Sequence, residues 1–303
     1  MKKKRNKKKE LPKLPSIKKH PERKIKKKTS AHKIKRKIST HKIIKRIIKR
    51  KKHKIKIPKQ KIKKTHHKEK EKRIPTGIKN FDQLIEKGFE KNSINMLVGG
   101  AGSGKSIFAT QFLIEGMKKG EKCLYVTFEE KKERFYNNML DFGWDLEAYE
   151  KKGLFIFLEY TPAKVKTMLE EGGGQIENIV IKNKVSRIVI DSITSFALLF
   201  EDELEKREAA LSLFNMIREW SCTSLLTLEE EPDSDKKAAS KALEFESDSI
   251  ILIYFQREKS ERDRYLEVLK MRGTKHSKKA YPFIIGKSGI VVGKRPISKL
   301  KLI

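Results

Sequence analysis

The protein has 303 residues, and its 73 lysine and arginine residues outnumber its 39 aspartate and glutamate residues, which gives a formal net charge of +34 at pH 7. Residues 1–73 hold 36 of the basic and 4 of the acidic side chains, so nearly all of the excess charge lies there. No apolar run approaches the ~20 residues of a membrane-crossing helix, and the basic amino terminus lacks the apolar segment of a secretory signal. We therefore predict a basic tail, residues 1–73, and a globular domain, residues 74–303, in the cytoplasm.

The cysteine content is consistent with that compartment. Cys123 and Cys222 each lie in a short apolar run without a neighbouring cysteine or histidine. Isolated thiols of this kind are typical of small core residues and not of a disulfide framework or a zinc site. A reducing environment is therefore expected.

The tail is too highly charged to form a hydrophobic core, and we expect it to be disordered when unbound. Isoleucines at three- and four-residue steps between Ile34 and Ile48 could line one face of a basic helix that forms on contact with a partner. Nucleic acid is the favoured partner, because each neutralised phosphate releases counterions. There is no aromatic residue before Phe81, so base stacking and sequence specificity are not expected. An anionic membrane surface, an acidic protein, or no dedicated partner at all are the alternatives.

The first long strand predicted in the domain ends in a phosphate-binding motif. The apolar run Ile94–Val98 precedes the pattern G-x-x-x-x-G-K-S, and a helical pattern runs from Ile107 to about Gly120. The glycines let backbone N–H groups point at phosphates, and the helix amino terminus adds positive charge. Lys105 can reach the β- and γ-phosphates of ATP, and Ser106 can bind Mg²⁺. The predicted nucleotide-binding residues of this segment are Gly99, Gly100, Ala101, Gly102, Ser103, Gly104, Lys105, Ser106 and Ile107.

Two further predicted strands end in carboxylates. The run Ile188–Ile190 is followed by Asp191, and Tyr125–Phe128 is followed by Glu129 and Glu130. The carboxyl ends of parallel strands meet at one sheet edge, so these side chains are expected near the phosphate loop. Asp191 is predicted to hold a water bound to Mg²⁺, and Glu129 or Glu130 to orient the attacking water. Taken singly, such acids could equally cap a turn or a helix.

Together these motifs resemble the KaiC branch of the RecA-like ATPases, and the similarity covers almost all of residues 74–303. Glu129-Glu130 match the paired catalytic glutamates of that family. The other matching segments are Ile74–Ile78, Phe81–Leu84, Phe142–Leu146, Leu269–His276 and Tyr281–Phe283.

The resemblance implies a site shared between subunits. In the family the K-x-R segment projects into the neighbouring subunit, so Lys270 and Arg272 would act there on the γ-phosphate, with Met271, Thr274 and His276 near the same nucleotide. A ring of six subunits with ATP at each interface is implied as well. From the residues alone, Lys270 and Arg272 would be a solvated basic face of a strand.

The chain departs from the family's clock protein in two respects. It has one phosphate loop where the clock protein has two domains in tandem, and Glu244-Phe245 stand where that protein has its autophosphorylated Ser-Thr pair. A self-phosphorylating oscillator is therefore not expected. Glu229, at the end of another apolar run, is a further candidate for a sensor at the sheet edge.

We expect an α/β, RecA-like fold with a mostly parallel sheet, helices on both faces and antiparallel strands from about Ser249 onward. The expected activity is Mg²⁺-dependent ATP hydrolysis by a homo-oligomer that acts on or near nucleic acid, in recombination, repair or regulation. The alternative is a nucleotide-gated regulatory or scaffold protein with little turnover, like the KaiC-like component of the archaellum motor. The predicted catalytic residues are Lys105, Glu129, Glu130, Lys270 and Arg272.

Overall fold

A computed structural model describes residues 73–161, 164, 167, 174–197, 200, 202–232, 246–258 and 261–298. The helix predicted within the basic tail and the Glu244-Phe245 pair lie outside these residues. The boundary between tail and domain stays a prediction.

Nine strands form one sheet, in the order β11-β10-β9-β8-β3-β7-β6-β4-β5. A separate antiparallel pair is formed by β1 (Arg73–Ile74) and β2 (Phe89–Glu90). The strands of the large sheet are β3 (Ile94–Gly99), β4 (Cys123–Thr127), β5 (Phe155–Glu159), β6 (Arg187–Asp191), β7 (Thr223–Glu229), β8 (Ser249–Glu258), β9 (Glu261–Met271), β10 (Tyr281–Gly286) and β11 (Gly289–Val292).

Helices connect the strands of the parallel part. They are α1 (Lys105–Lys118), α2 (Lys132–Leu140), α3 (Leu146–Lys151), α4 (Gly174–Asn183), α5 (Ile193–Ala197) and α6 (Glu203–Glu219), with a short 3₁₀ helix at Asp82–Ile85. The Asp145 and Asp202 carboxylates cap α3 and α6 by accepting from backbone N–H groups of the first turn. In the part of the chain that the structure describes, no helix has both the length and the apolar character needed to cross a membrane.

The pairing of the strands confirms the predicted sheet. Strands β5, β4, β6, β7, β3 and β8 run parallel, and β8, β9, β10 and β11 pair antiparallel in sequence. The antiparallel part thus begins where β9 folds back on β8, the strand that starts at Ser249. The parallel strands β3, β4 and β6 are almost wholly buried, as expected for a sheet covered on both sides.

Alternate side chains of each parallel strand enter two different cores. Leu124 and Val126 of β4 join a cluster with Val180 of α4 and Phe214 of α6, whereas Tyr125 joins a second cluster containing residues of α1 and α2. This is the two-residue period of a strand between two helical layers. The prediction of helices on both faces is therefore confirmed. Cys123 and Cys222 are buried free thiols of these cores, and burial raises their pKa values to about 12 and 11.

One buried arginine joins α1 to the sheet through hydrogen bonds. Arg187, at the start of β6, is fully buried; its Nε donates to Glu121 at 2.6 Å, and its Nη1 donates to the carbonyls of Pro75 and Phe112, both at 2.8 Å. Gly116 leaves room for this side chain, because a Cβ there would lie 2.5 Å from Nε. The helix that carries the phosphate loop at its amino terminus is thereby held near its other end.

Candidate nucleotide site

The predicted phosphate loop joins β3 to α1 at the carboxyl edge of the sheet. The helix begins at Lys105, two residues before the apolar pattern that predicted it, and the Phe108 N–H donates to the Gly104 carbonyl at 3.0 Å. Gly104 has a φ of 108°, a conformation that side chains strongly disfavour, and a Cβ there would lie 3.0 Å from Ile285. The glycine therefore lets the chain turn into the helix while keeping the loop open above it.

Lys105 is folded under the loop. Its Nζ donates to the carbonyls of Gly99 at 2.9 Å and Gly100 at 2.8 Å, and the side chain is buried. Burial lowers the pKa of Lys105, and the nearby carboxylates, Glu229 first and then Asp191, oppose that shift. The cation lies among acidic groups, and it is the predicted counter-ion for phosphate in this cavity.

Asp191 ends β6 beside the loop, as the sequence predicted. Its carboxylate accepts hydrogen bonds from the hydroxyls of Tyr125 and Thr227, and its peptide bond to Ser192 is cis. Burial, and then the negative charge of Asp191, raise the pKa of the Tyr125 hydroxyl well above its ordinary value, so the hydroxyl stays protonated. Asp191 and Ser106 line the same cavity, of about 350 Å³.

Glu129 and Glu130 follow β4 and line that cavity as well, but they have different partners. Glu129 Oε1 accepts from the hydroxyls of Ser192 at 3.2 Å and Ser195 at 3.0 Å. Glu130 Oε1 accepts from Asn138 Nδ2 at 3.1 Å. Burial, and then the charge of Asp191, raise the pKa of Glu130. The predicted pair is therefore brought to the phosphate loop, with a different set of partners for each carboxylate.

Sequence reasoning missed Arg264, which lines the cavity from β9. Its guanidinium lies 4.1 Å from the centre of the Phe255 ring, and its Nη2 donates to the Gly102 carbonyl at 3.1 Å. Burial lowers the pKa of Arg264. No local motif marks this residue, because only the pairing of β9 with β8 brings it to the loop. Glu229, the candidate sensor at the sheet edge, also lines the cavity.

The five residues assigned to the K-x-R segment do not line this cavity in their own chain. Lys270 donates to the Ser247 carbonyl at 2.7 Å, and Arg272 Nη1 lies 3.5 Å from Asp248 Oδ1. Thr274 Oγ1 accepts from Arg73 at 2.8 Å. Met271 ends β9, and His276 contacts the Ser277 carbonyl. A single subunit thus keeps these residues apart from its own phosphate loop, and their role toward a neighbour stays a prediction.

The residues present fit a magnesium-bound triphosphate. The Ser103 hydroxyl oxygen and Arg264 Nε are the two buried side-chain polar atoms without a hydrogen-bond partner among the described residues. Ser103 lies in the phosphate loop, and Arg264 of β9 contacts that loop. The oxygen ligands offered by Ser106 and Asp191 are of the kind that Mg²⁺ prefers. Ala101, Gly102, Gly104, Lys105, Ser106 and Ile107 form the loop wall of the cavity.

A phosphate loop after β3, a carboxylate ending β6 and a largely parallel sheet between helices define an ATP-binding P-loop protein of the RecA-like fold. The comparison with known families narrows this class. The chain belongs to the KaiC-like ATPase family, because the family described as "ATPase: KaiC" matches residues 74–297.

Relatives include both long and short members of the family. The circadian clock protein KaiC3 of Synechocystis is 34% identical over 238 residues, 76% of this chain but only 47% of that protein. A UPF0273 protein of Pyrococcus horikoshii is 31% identical over 234 residues, 73% of this chain and 94% of that protein. Among solved structures, a KaiC-like protein of Pyrococcus horikoshii has a TM-score of 0.65 and 37% identity, covering 74% of this chain and 99% of that one. This chain thus spans about half of the clock protein but nearly all of the single-domain relatives.

Proposed function

We propose that this protein binds ATP with Mg²⁺ and hydrolyses it. The observation that carries the proposal is the convergence of Lys105, Ser106, Asp191 and the Glu129-Glu130 pair on one cavity at the carboxyl edge of the sheet. Each residue type matches one requirement of phosphoryl transfer to water.

In the proposed mechanism the loop amides and Lys105 bind the β- and γ-phosphates. For this, the Nζ leaves the Gly99 and Gly100 carbonyls and turns toward the phosphate oxygens. Ser106 and Asp191 would hold Mg²⁺, which when bound neutralises charge on the phosphates. Glu130 accepts a proton from the attacking water, since burial and the charge of Asp191 raise its pKa and so make it a stronger base. Glu129, held by two serine hydroxyls, orients that water.

The assembly we propose is a ring, of six subunits by family resemblance. Lys270 and Arg272 of one subunit then reach the γ-phosphate bound to the next and stabilise the charge that develops there. Neither side chain lines the cavity of its own subunit, which is consistent with action on a neighbouring one. The cytoplasm is the proposed location.

Nucleic acid is the proposed partner of the basic tail. The tail holds 36 basic and 4 acidic residues, which supports binding to the phosphates of nucleic acid without sequence specificity. We propose that ATP turnover is coupled to this binding, in recombination, repair or regulation.

One assay tests this function. Steady-state ATP hydrolysis is measured alone and with single- or double-stranded DNA, RNA or anionic vesicles. The proteins compared are the intact chain, the chain lacking residues 1–72 and Lys105→Ala. We expect Mg²⁺-dependent turnover in the intact chain and in the chain lacking residues 1–72, with stimulation by polynucleotide only in the intact chain. We expect no turnover in Lys105→Ala, because this variant loses the phosphate counter-ion.

The other outcomes have definite meanings. Turnover in Lys105→Ala equal to that of the intact chain would contradict the site. Equal stimulation with and without residues 1–72 would contradict the role of the tail, and stimulation by anionic vesicles alone would indicate a membrane surface. Tight retention of ATP without product release would support the nucleotide-gated scaffold instead.

A further inference from the structure

The Asp191 carboxylate is held from both sides by hydroxyls of the adjacent strands. Strand β6, which ends in Asp191, lies between β7 and β4 in the sheet. Thr227 of β7 donates to Oδ1, and Tyr125 of β4 donates to Oδ2. The carboxylate is thereby fixed in one plane, with one donor on each oxygen.

This arrangement leaves the carboxylate free to bind a further ligand. An ionised carboxylate has about four acceptor positions, so two remain after the hydrogen bonds from Tyr125 and Thr227. Both donors are buried, Tyr125 with 1% and Thr227 with none of its surface exposed, so water does not compete for their protons. The two free positions on Asp191 therefore have a defined direction before any ligand arrives.

Tyr125 is held in place by aromatic packing. Its ring is packed against Phe135 and Phe157, with centroids 4.5 and 5.7 Å apart, which prevents the hydroxyl from moving away.

We propose that Tyr125 and Thr227 are positioning residues, which set the Asp191 carboxylate in the orientation that a magnesium–nucleotide complex requires. This inference rests on the proposed function, because it assigns a role at the same site. Neither residue belongs to a recognised motif. Both lie inside strands, where the sequence alone predicts core residues.

The physical reason is that a metal ligand that can rotate freely must be reoriented when the ion binds, which weakens binding. A partner that orients a metal ligand is typically worth 10- to 100-fold in metal affinity. Without the Tyr125 hydroxyl, Oδ2 of Asp191 loses its donor, while the aromatic packing stays intact. Without the Thr227 hydroxyl, Oδ1 loses its donor. In each case the carboxylate can rotate before the ion binds.

The test compares ATP affinity with and without the metal. Calorimetry measures the Kd of ATP in Mg²⁺ and in EDTA for the full chain and for Tyr125→Phe and Thr227→Val, both of which keep the buried volume nearly unchanged. We expect the gain in affinity due to Mg²⁺ to fall about tenfold in each variant, while the affinity in EDTA changes less than about twofold. Turnover need not be measured.

Two matched variants serve as controls. Thr227→Ser keeps the hydroxyl and is expected to retain the full gain from Mg²⁺. Tyr136→Phe removes a hydroxyl from the same aromatic group, but that hydroxyl donates to Glu150 at 3.0 Å and not to the site, so the gain should be unchanged. Melting of each nucleotide-free variant checks its fold, and if Thr227→Val does not fold, Tyr125→Phe carries the test.

The outcomes separate this inference from the function on which it rests. If the unmodified protein binds no ATP, or gains nothing from Mg²⁺, the proposed site itself is wrong. If it gains affinity from Mg²⁺ and the folded Tyr125→Phe and Thr227→Val proteins gain just as much, the site stands and the positioning role is overturned. An equal loss in EDTA and in Mg²⁺ would show a general structural effect and would also overturn it.

Discussion

At the scale of single residues, the two adjacent glutamates illustrate how neighbours assign chemistry. Glu129 and Glu130 are indistinguishable in sequence, yet the first accepts from Ser192 and Ser195 and the second from Asn138. Burial and the nearby Asp191 raise the pKa of Glu130. These surroundings support the proposed role of Glu130 as the proton acceptor.

The pH dependence of turnover tests this assignment. A base must be deprotonated to act, so turnover falls as the pH is lowered through the raised pKa of Glu130, at a higher pH than for an ordinary glutamate. Glu130→Gln should lower kcat about 100-fold or more and remove this acidic limb. Glu129→Gln should retain the limb. Loss of the limb in Glu129→Gln, with Glu130→Gln unaffected, would reverse the two roles.

At the scale of elements, the position of α1 depends on a contact far along the chain. Arg187 of β6 reaches the Phe112 carbonyl inside α1 and the Pro75 carbonyl ahead of β2. An arginine in an apolar strand gives no sequence signal of this role. Its partners become neighbours only when β6 and α1 pack together in the folded protein.

Removing this cation should destabilise the fold. Arg187→Met leaves two buried carbonyls and the Glu121 carboxylate without their donor, and we expect the free energy of unfolding to fall by about 3 kcal/mol. Arg218→Met is a matched control, because the pair of Arg218 with Glu246 is partly exposed and its loss should cost about 1 kcal/mol or less. Urea denaturation of nucleotide-free protein measures both. If both variants lose equally little free energy of unfolding, the contacts of Arg187 do not stabilise the fold.

At the scale of the whole molecule, two inactive variants are expected to restore activity when mixed, if the site is shared between subunits. A Lys105→Ala subunit keeps its own Arg272, and an Arg272→Ala subunit keeps its own phosphate loop. In a mixed ring, the loop of the second can face the arginine of the first. Random mixing in equal amounts should therefore restore about one quarter of the turnover.

Subunit mixing is measured by ATP hydrolysis after the two inactive variants are combined. Each variant alone should lose turnover by about 1,000-fold or more, since both remove a cation from the γ-phosphate. The combination of Lys105→Ala with the double variant Lys105→Ala, Arg272→Ala is the control, because no intact loop is then present. Co-assembled rings that stay inactive would contradict action in trans.

Local pattern was enough to predict the phosphate loop, the carboxylates that follow β4 and β6, and the family. These features depend on short runs: a strand, the residues after it and the start of a helix. Lys105 and Asp191 line one cavity, since parallel strands with alternating helices leave their carboxyl ends on one edge.

Tyr125, Thr227 and Arg264 lay outside the reach of such patterns. Each is an interior residue of a strand, and its contact with the site depends on which strands are adjacent: β4 and β7 flank β6, and β9 returns beside β8. Strand order is decided by the packing of the whole sheet against two helical layers and not by any segment alone. The amino-acid sequence thus determined the chemistry available at this site, whereas the tertiary structure determined which side chains orient it, because hydrogen bonds across a sheet join residues that are distant in the chain.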